Sequence, residues 1–390
     1  MGIPLVDRNK QMKIKKFDIS IIGGGPAGSA AALFLSKRGY SIAIIEKKLF
    51  PREVLCGEFI SKEVIDFFKA QSLFEEFLRL GPNPIMSFRF SSENEKVLFA
   101  PFRFPAYGIK RSLLDNFLLS KAVEKGVEIF QPAEVTGMVQ HFDSYILNIK
   151  SKNQELFSVS SKIIIAAYGR QNILDKYSGR DFYRAKTKFN GVKFHIDKAQ
   201  FYNFNTEEIQ IFCGRGIYCG LNAVDNNTVT LCFLEKRDSI QYSPKEFLLQ
   251  LSRENMKFKA LLNKDFFNSL DKIPIYGTGN IYFGKRDIVN GGIFYVGDAA
   301  GIIAPLVGDG IGMAVQSASL LSDILSRNNL DHERAGIEYK KEWRKMFLNR
   351  ITLAGIVQKS VLNNYIRNPG IELIAQFPRA LSTIIKYTRG

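Results

Sequence analysis

The sequence predicts an α/β fold in which a parallel sheet with crossover helices is interrupted by a mostly antiparallel sheet and followed by C-terminal helices. Three observations carry this. An isoleucine-rich strand, FDISII at 17–22, stops at GGGPAG and runs into a helix. From 185 to 275, short segments of alternating polarity such as KFHI, EIQIF and TVTLCFL succeed one another without helix–strand alternation. A buried-type strand, GGIFYVGDAA, then restores the parallel texture ahead of a glycine-rich turn and a helix over 310–326.

In order, the helix after GGGPAG spans Ala27 to Arg38 and ends at Gly39, and SIAIIE is a second strand closing on Glu46. Together they make a βαβ unit. A basic loop, KKLFPREVLCGEFIS, leads into a helix from Ser61 to Leu80. Residues 85–104 read as paired strands, Arg111–Lys125 as a helix ended by Gly126, and VEIFQ as a short strand. Residues 135–160 form a three-strand meander, and SKIIIAAYGR returns to the buried type. A helical stretch over 245–268 belongs to the antiparallel part. Residues 333–390 are mostly helical, with breaks at Pro369 and Pro378. The expected organisation is one discontinuous domain (12–82, 105–184 and 276–330), a second domain (83–104 and 185–275) and a helical region (331–390).

A chain of 390 residues is long enough for two cores. Its 46% apolar and 24% charged residues are the balance of a soluble globular protein, and no apolar run reaches membrane-spanning length. No apolar stretch precedes the first strand, so a secretory signal is not expected, and Met12 is an alternative start. Cys56, Cys213, Cys219 and Cys232 form no CxxC pair, and His141, His195 and His332 are scattered. That spacing suits neither a disulfide framework nor a zinc site, and the expected compartment is the cytoplasm. The net charge of +16 favours anionic partners. It accompanies no nucleic-acid-binding motif, so nucleic acid is not an expected partner.

Two constellations carry chemistry. In the first, Gly23 lets the chain turn out of the strand, Gly25 leaves room for a pyrophosphate, and Gly28 allows close helix–strand packing. The helix beginning at Pro26 and Ala27 presents free N–H groups to phosphate, and Glu46 is placed for ribose hydroxyls. This is a Rossmann-like dinucleotide site. In the second, Asp298 of GDAAG is placed to accept a hydroxyl from a cofactor's ribityl or ribose chain. The turn through Pro305, Gly308, Gly310 and Ile311 opens a helix toward the electron-rich edge of a reduced flavin. Neither segment alone identifies a flavin; together they specify FAD.

GGGPAG with Glu46, YVGDAAGIIAPLVGDGIGMAVQSA and Arg111-Ser-Leu-Leu-Asp115 resemble the FAD flavoproteins related to p-hydroxybenzoate hydroxylase, and within them the geranylgeranyl reductase branch, over residues 17–330. The resemblance implies that Arg111 lies beside the FAD ribose and phosphates, that Ala133–Val135 meets the adenine, and that Asp298 holds the flavin chain. With Lys47, Arg52, Cys56, Gly57 and Gly169, these residues complete the expected cofactor set; no metal is expected. Aromatic hydroxylases carry GDAAH where this chain has Gly301, and the only tryptophan, Trp343, lies outside any halogenase motif. The loop from Arg52 to Cys56-Gly57 resembles the reductase branch's basic residue followed by CG. The branch's DG appears here as Tyr168-Gly169, and its aromatic substrate-sheet motif keeps only Tyr218 and flanking glycines.

The implied activity is reduction of carbon–carbon double bonds in a lipophilic, isoprenoid or similar, substrate. The alternative is an NAD(P)H-dependent flavin monooxygenase hydroxylating an aromatic or polyketide substrate. There is no second GxGxxG, so the reductant is transiently bound NAD(P)H or a ferredoxin-like donor protein. Cys56 is read both as a proton donor beside the flavin and as a small buried hydrophobe, and Tyr218 is the second catalytic candidate. Cys213, Cys219 and Cys232 read as core, and His195 as a strand histidine. The terminal helices pair apolar stripes with Lys and Arg, which suits bundle packing or peripheral membrane contact.

Overall fold

The structure is a computed structural model that describes residues 14–170, 174–177, 179–180, 187, 189–236, 243–279 and 281–389. Met12 and the expected boundaries at 12 and 184 lie outside the described residues.

Four strands run parallel in the order Ile293–Tyr295, Leu156–Ala166, Lys15–Ile22, Ile42–Ile45, and Glu128–Phe130 adds a fifth beyond the last. Ile19, Ile44 and Ile164 in these strands have no exposed surface. That matches a sheet covered on both faces. The register brings Ile22 beside Ile45 and Ala166, and Ala166 beside Tyr295. The strands therefore finish together, and the turns after Ile22, Ala166 and Tyr295 open on one edge of the sheet. The expected meander is Ala133–His141, Ser144–Ser151 and Leu156–Ala166. Its last strand continues into the buried strand read separately from SKIIIAAYGR, so one 11-residue strand serves both parts.

The second sheet has seven strands, with order Tyr276–Thr278, Phe189–Asp197, Thr228–Lys236, Ile217–Ala223, Glu208–Gly214, Ser87–Ser91 and Val97–Pro101. Every pairing is antiparallel except Glu208–Gly214 with Ser87–Ser91. Alternation divides its faces. Phe194, Phe212, Cys219, Leu231 and Phe233 pack on the short helices Pro244–Glu254, Met256–Leu261 and Phe266–Leu270. Cys213, Tyr218 and Leu234 belong to a different apolar cluster on the other face.

Two helical expectations need correcting. The helix expected from Ser61 to Leu80 is two, Lys62–Ala70 and Phe74–Leu78. The chain turns between them at Ser72, whose φ is +58°, a value a helix does not accommodate. Pro369 does not break the terminal region; it lies inside the helix Asn364–Gln376. The break falls at Asn363, whose side chain accepts a bond from the Tyr365 N–H and caps the following helix. Pro378 begins the last helix, Pro378–Arg389, where its missing N–H costs nothing.

Candidate functional site

The strand ends, the glycine turns and the inner face of the second sheet surround one cavity of about 730 Å³. Two helix N-termini, Pro26–Ser36 and Gly310–Arg327, border it, and neither has a side-chain cap bond. Their free N–H groups are left for a ligand. The first turn is built by contact: a Cβ on Gly28 would lie 1.9 Å from the Gly23 carbonyl oxygen, and one on Gly23 (φ +106°) 2.6 Å from that of Ala167. Gly28 thus packs behind the cavity rather than lining it, while Gly23, Gly25, Pro26 and Ala27 line it.

Buried Glu46 accepts bonds from the Gly24 and Lys48 N–H groups, both at 2.8 Å. Each carboxylate oxygen keeps a lone pair for a ribose hydroxyl. Lys47 and Val135 line the same end of the cavity.

Arg111 forms a two-pronged pair with buried Asp115, at 2.7 and 2.8 Å. Burial opposes its charge, but Asp115 and the Cys56 sulfur outweigh that and hold the guanidinium above its ordinary range. Arg52 approaches the same carboxylate at 3.6 Å. Asp298 sits in a 3₁₀ turn, Gly297–Ala299, fastened by Arg286 to the Asp298 carbonyl, Arg180 to that of Ala299, and the Gly297 N–H to Ser317. Burial raises the Asp298 carboxyl above its usual range against the pull of Arg170, Arg286 and Arg111. Among the described residues its carboxylate makes no hydrogen bond.

FAD fits what is there. Gly57, Gly169 and Gly310 line the cavity, and a Cβ on any of them would meet nothing within 4 Å. Open backbone, two uncapped helix N-termini and a carboxylate with no hydrogen bond among the described residues are the donor and acceptor set a dinucleotide needs. Pro305, Gly308 and Ile311 complete the far wall.

Cys56 is half-buried on the cavity, and its sulfur accepts from the Glu58 N–H at 3.3 Å. Tyr218 also lines the cavity; its hydroxyl faces Gln358 of the helix His332–Leu362 at 3.4 Å, and burial lifts the phenol well above its usual range. Cys213 and Cys219 are buried, whereas Cys232 is only partly so and borders the cavity, a correction to its reading as core. Gly301 stands where a Cβ would come within 3.0 Å of the Trp343 ring, so the tryptophan fills the space a histidine would need. Tyr168 donates to Asp175, which also pairs with Arg180.

Sequence reasoning missed a polar cluster under the Cys56 loop. Glu58, with no exposed surface, accepts from Lys193 (2.8 Å) and the Arg111 N–H (2.9 Å), and its other oxygen meets His195 (2.6 Å) and Thr230. Lys193, equally buried, also reaches Glu53 at 2.6 Å. The alternation of Lys193 and His195 on one strand face was the available signal; their partners 135 to 140 residues away were not. Burial opposes the Glu58 charge, but His195 and Lys193 overcome it and hold the carboxyl at about 2. Burial likewise opposes the Lys193 charge, and Glu58 and Glu53 raise it above its ordinary range. Glu53, Glu58 and His195 converge as metal ligands would, but the Lys193 ammonium already bridges the two carboxylates.

Residues 16–332 match the FAD binding domain family. The chain is 26% identical over 377 residues to digeranylgeranylglycerophospholipid reductase 3 of Methanosphaera stadtmanae, covering 90% of this chain and 88% of that protein. The fold matches a geranylgeranyl bacteriochlorophyll reductase-like protein from Thermoplasma acidophilum, with TM-score 0.73, 19% identity, and 90% and 88% of the two chains covered. It also matches the flavin-dependent brominase Bmp2, with TM-score 0.74, 18% identity, and 96% and 93% covered. The glycine turns around the cavity and the family match over most of the chain lead to one conclusion: this protein belongs to the FAD binding domain family and is an FAD-dependent oxidoreductase.

Proposed function

We propose that this protein reduces carbon–carbon double bonds of a lipophilic, isoprenoid-type substrate. The observation that carries the reading is the composition of the cavity beyond the glycine turns. There Leu55, Ile209, Ile211, Leu234, Ile281 and Leu306 form an apolar chamber continuous with the cofactor cradle. A hydrocarbon chain is the ligand such a wall desolvates without cost. The reductases among the relatives point the same way.

FAD, when bound and reduced, supplies a hydride to one alkene carbon. The chain's own residues do the rest. Gly23, Gly25, Pro26, Ala27, Glu46 and Lys47 would hold the nucleotide end. Arg52 and Arg111 would carry positive charge beside the phosphates, and Asp298 would hold the polyol chain. Gly308, Gly310 and Ile311 would border the flavin ring, with Gly57, Gly169, Val135 and Pro305 closing the cradle. Cys56, or a water at its sulfur, gives the proton to the second carbon. Tyr218 lines the chamber and fixes the substrate against the sheet. The electrons come from NAD(P)H or a ferredoxin-like protein.

The terminal helices supply the lipid-facing surface. Ile371 and Leu381 share an apolar cluster with the chamber residues Leu55, Tyr218, Ile281 and Leu306. Tyr365, Leu373 and Tyr387 on these helices, Phe377 between them, and Lys359 and Lys386 are exposed. That pattern suits peripheral contact with an anionic membrane. No helix among the described residues is long and apolar enough to cross a membrane.

The test is anaerobic mixing of photoreduced holoenzyme with prenylated lipids. Flavin reoxidation without oxygen is expected; reoxidation only when oxygen and an aromatic substrate are present would replace this reading with the monooxygenase.

A further inference from the structure

We propose that Gly220 is a specificity-determining residue: it leaves a notch in the chamber wall where a hydrocarbon chain lies directly against the backbone. Gly220 is the middle residue of the strand Ile217–Ala223, which is the fourth of seven in the second sheet. Every other residue of that strand is buried. Gly220 alone is half-buried, and it lines the cavity.

A glycine inside a strand weakens it, so it marks a bulge, a backbone shape other residues avoid, a close packing contact or the approach of a ligand. The first three are absent here. Pairing runs in unbroken register on both sides, with Gly220 opposite Ile211 on one neighbour and Cys232 on the other, so there is no bulge. Its φ lies outside the left-handed region. A Cβ would meet only the Cys232 carbonyl oxygen, at 3.8 Å, an ordinary van der Waals distance. Gly191 and Gly214 of the same sheet differ: a Cβ on either would come within 2.6 Å of Leu55 or Glu254. Those two glycines are required by packing. Gly220 is not, and the ligand remains as the reason for it.

The rim of the notch says what fits. Alternation puts Tyr218, Gly220 and Asn222 on one face, with Ile211 and Cys232 flanking in register, and all five line the cavity. Strands ~4.8 Å apart set the Ile211 and Cys232 backbones roughly 10 Å from each other, which leaves a slot about one hydrocarbon chain wide between their side chains. The polar atoms at its two ends are engaged elsewhere. The Tyr218 hydroxyl faces Gln358 at 3.4 Å, and the Asn222 amide faces the Glu58 carbonyl at 3.5 Å. A chain without hydrogen-bonding groups leaves nothing unpaired in such a slot. Any side chain at position 220 would fill the slot and lift the substrate off the sheet.

The occupant rests on the lipophilic-substrate reading, and the experiment separates the two. It measures binding of radiolabelled phytanol, a saturated prenyl alcohol with no double bond to reduce, to holoenzyme by equilibrium dialysis, beside flavin content and thermal unfolding. Gly220→Ala is expected to unfold no earlier than the parent protein, because its Cβ has room, yet to bind phytanol ~4-fold more weakly, the worth of one displaced methylene. Gly220→Leu is expected to lose at least ~10-fold with flavin content unchanged, and Ile211→Ala added to it to recover part of that loss by reopening the neighbouring wall. A Gly220→Ala protein that unfolds earlier and binds phytanol as the parent does would make the glycine structural and overturn the proposal. Phytanol binding that is unchanged in Gly220→Leu, absent in the parent, or lost together with FAD would overturn it as well. Binding that follows the size of residue 220 in an enzyme that reduces no prenyl lipid would leave the role of Gly220 standing and sink the reductase reading.

Discussion

Gly28 and Glu58 show how single residues set this site. Gly28 is forced by contact, its missing Cβ lying 1.9 Å from a backbone oxygen that has nowhere to move. Gly28→Ala is therefore expected to pry the helix from the strand and weaken FAD retention by at least ~100-fold, or about 3 kcal/mol. Flavin absorbance after desalting measures it. Glu58 is forced by charge. Its folded carboxyl is held at about 2 against an ordinary 4.5, so its stabilising contribution is complete above 4.5 and is lost as pH falls toward 2. The shift corresponds to roughly 3 kcal/mol. Urea denaturation of the parent protein should lose that much across the window. Glu58→Gln should be less stable at neutral pH and flatter in acid, and an equally steep acid slope in the variant would remove Glu58 as the cause. Glycines that shape the cradle were legible in the sequence because their spacing is local. Glu58 was not, because its partners are brought together only when the loop after the second strand lands on a distant sheet.

At the scale of elements, the long helix His332–Leu362 links parts of the site that lie far apart in sequence. Tyr339 donates to the Tyr295 carbonyl, Trp343 backs Gly301, Arg350 pairs with Asp309 and donates to Gln316, and Gln358 meets the Tyr218 hydroxyl. Asp309 is the residue from which the cavity-bordering helix Gly310–Arg327 starts. Arg350→Met removes a charged partner from that buried carboxylate and should cost about 3–5 kcal/mol. Thermal unfolding checks the loss, and an unchanged midpoint would show that the pair contributes little. The sequence reading recognised these terminal helices as amphipathic but assigned them no contact with the site. Hydrophobic periodicity reports that a helix has a buried face, not which loops that face will touch. Pro369 misled for a related reason: its local cost is real, but the break went to Asn363, where a cap was available.

At the scale of the whole molecule, one parallel sheet binds, one antiparallel sheet walls the chamber, and the C-terminal helices close it. The βαβ unit, the returning GDAAG strand and the antiparallel middle were all readable, since each is written in period and punctuation. The merging of meander and core strand was not, because one strand satisfies two sheet regions at once. The net charge of +16 and the exposed aromatic residues of the last helices make a further prediction. The protein should sediment with anionic vesicles and be released by salt, and Tyr365→Ser with Phe377→Ser should weaken that binding ~10-fold or more. Equal sedimentation with neutral vesicles, insensitive to salt, would contradict the charge argument.

The central claim is that reduced FAD in this cavity saturates an alkene. Its most direct test is mass analysis of a prenyl lipid after anaerobic incubation with reduced holoenzyme in heavy water. The account predicts a product saturated at one double bond, with deuterium on the new carbon–hydrogen bonds and FAD oxidised in equal amount. A recovered lipid of unchanged mass, or one that gains oxygen only in air, would contradict it.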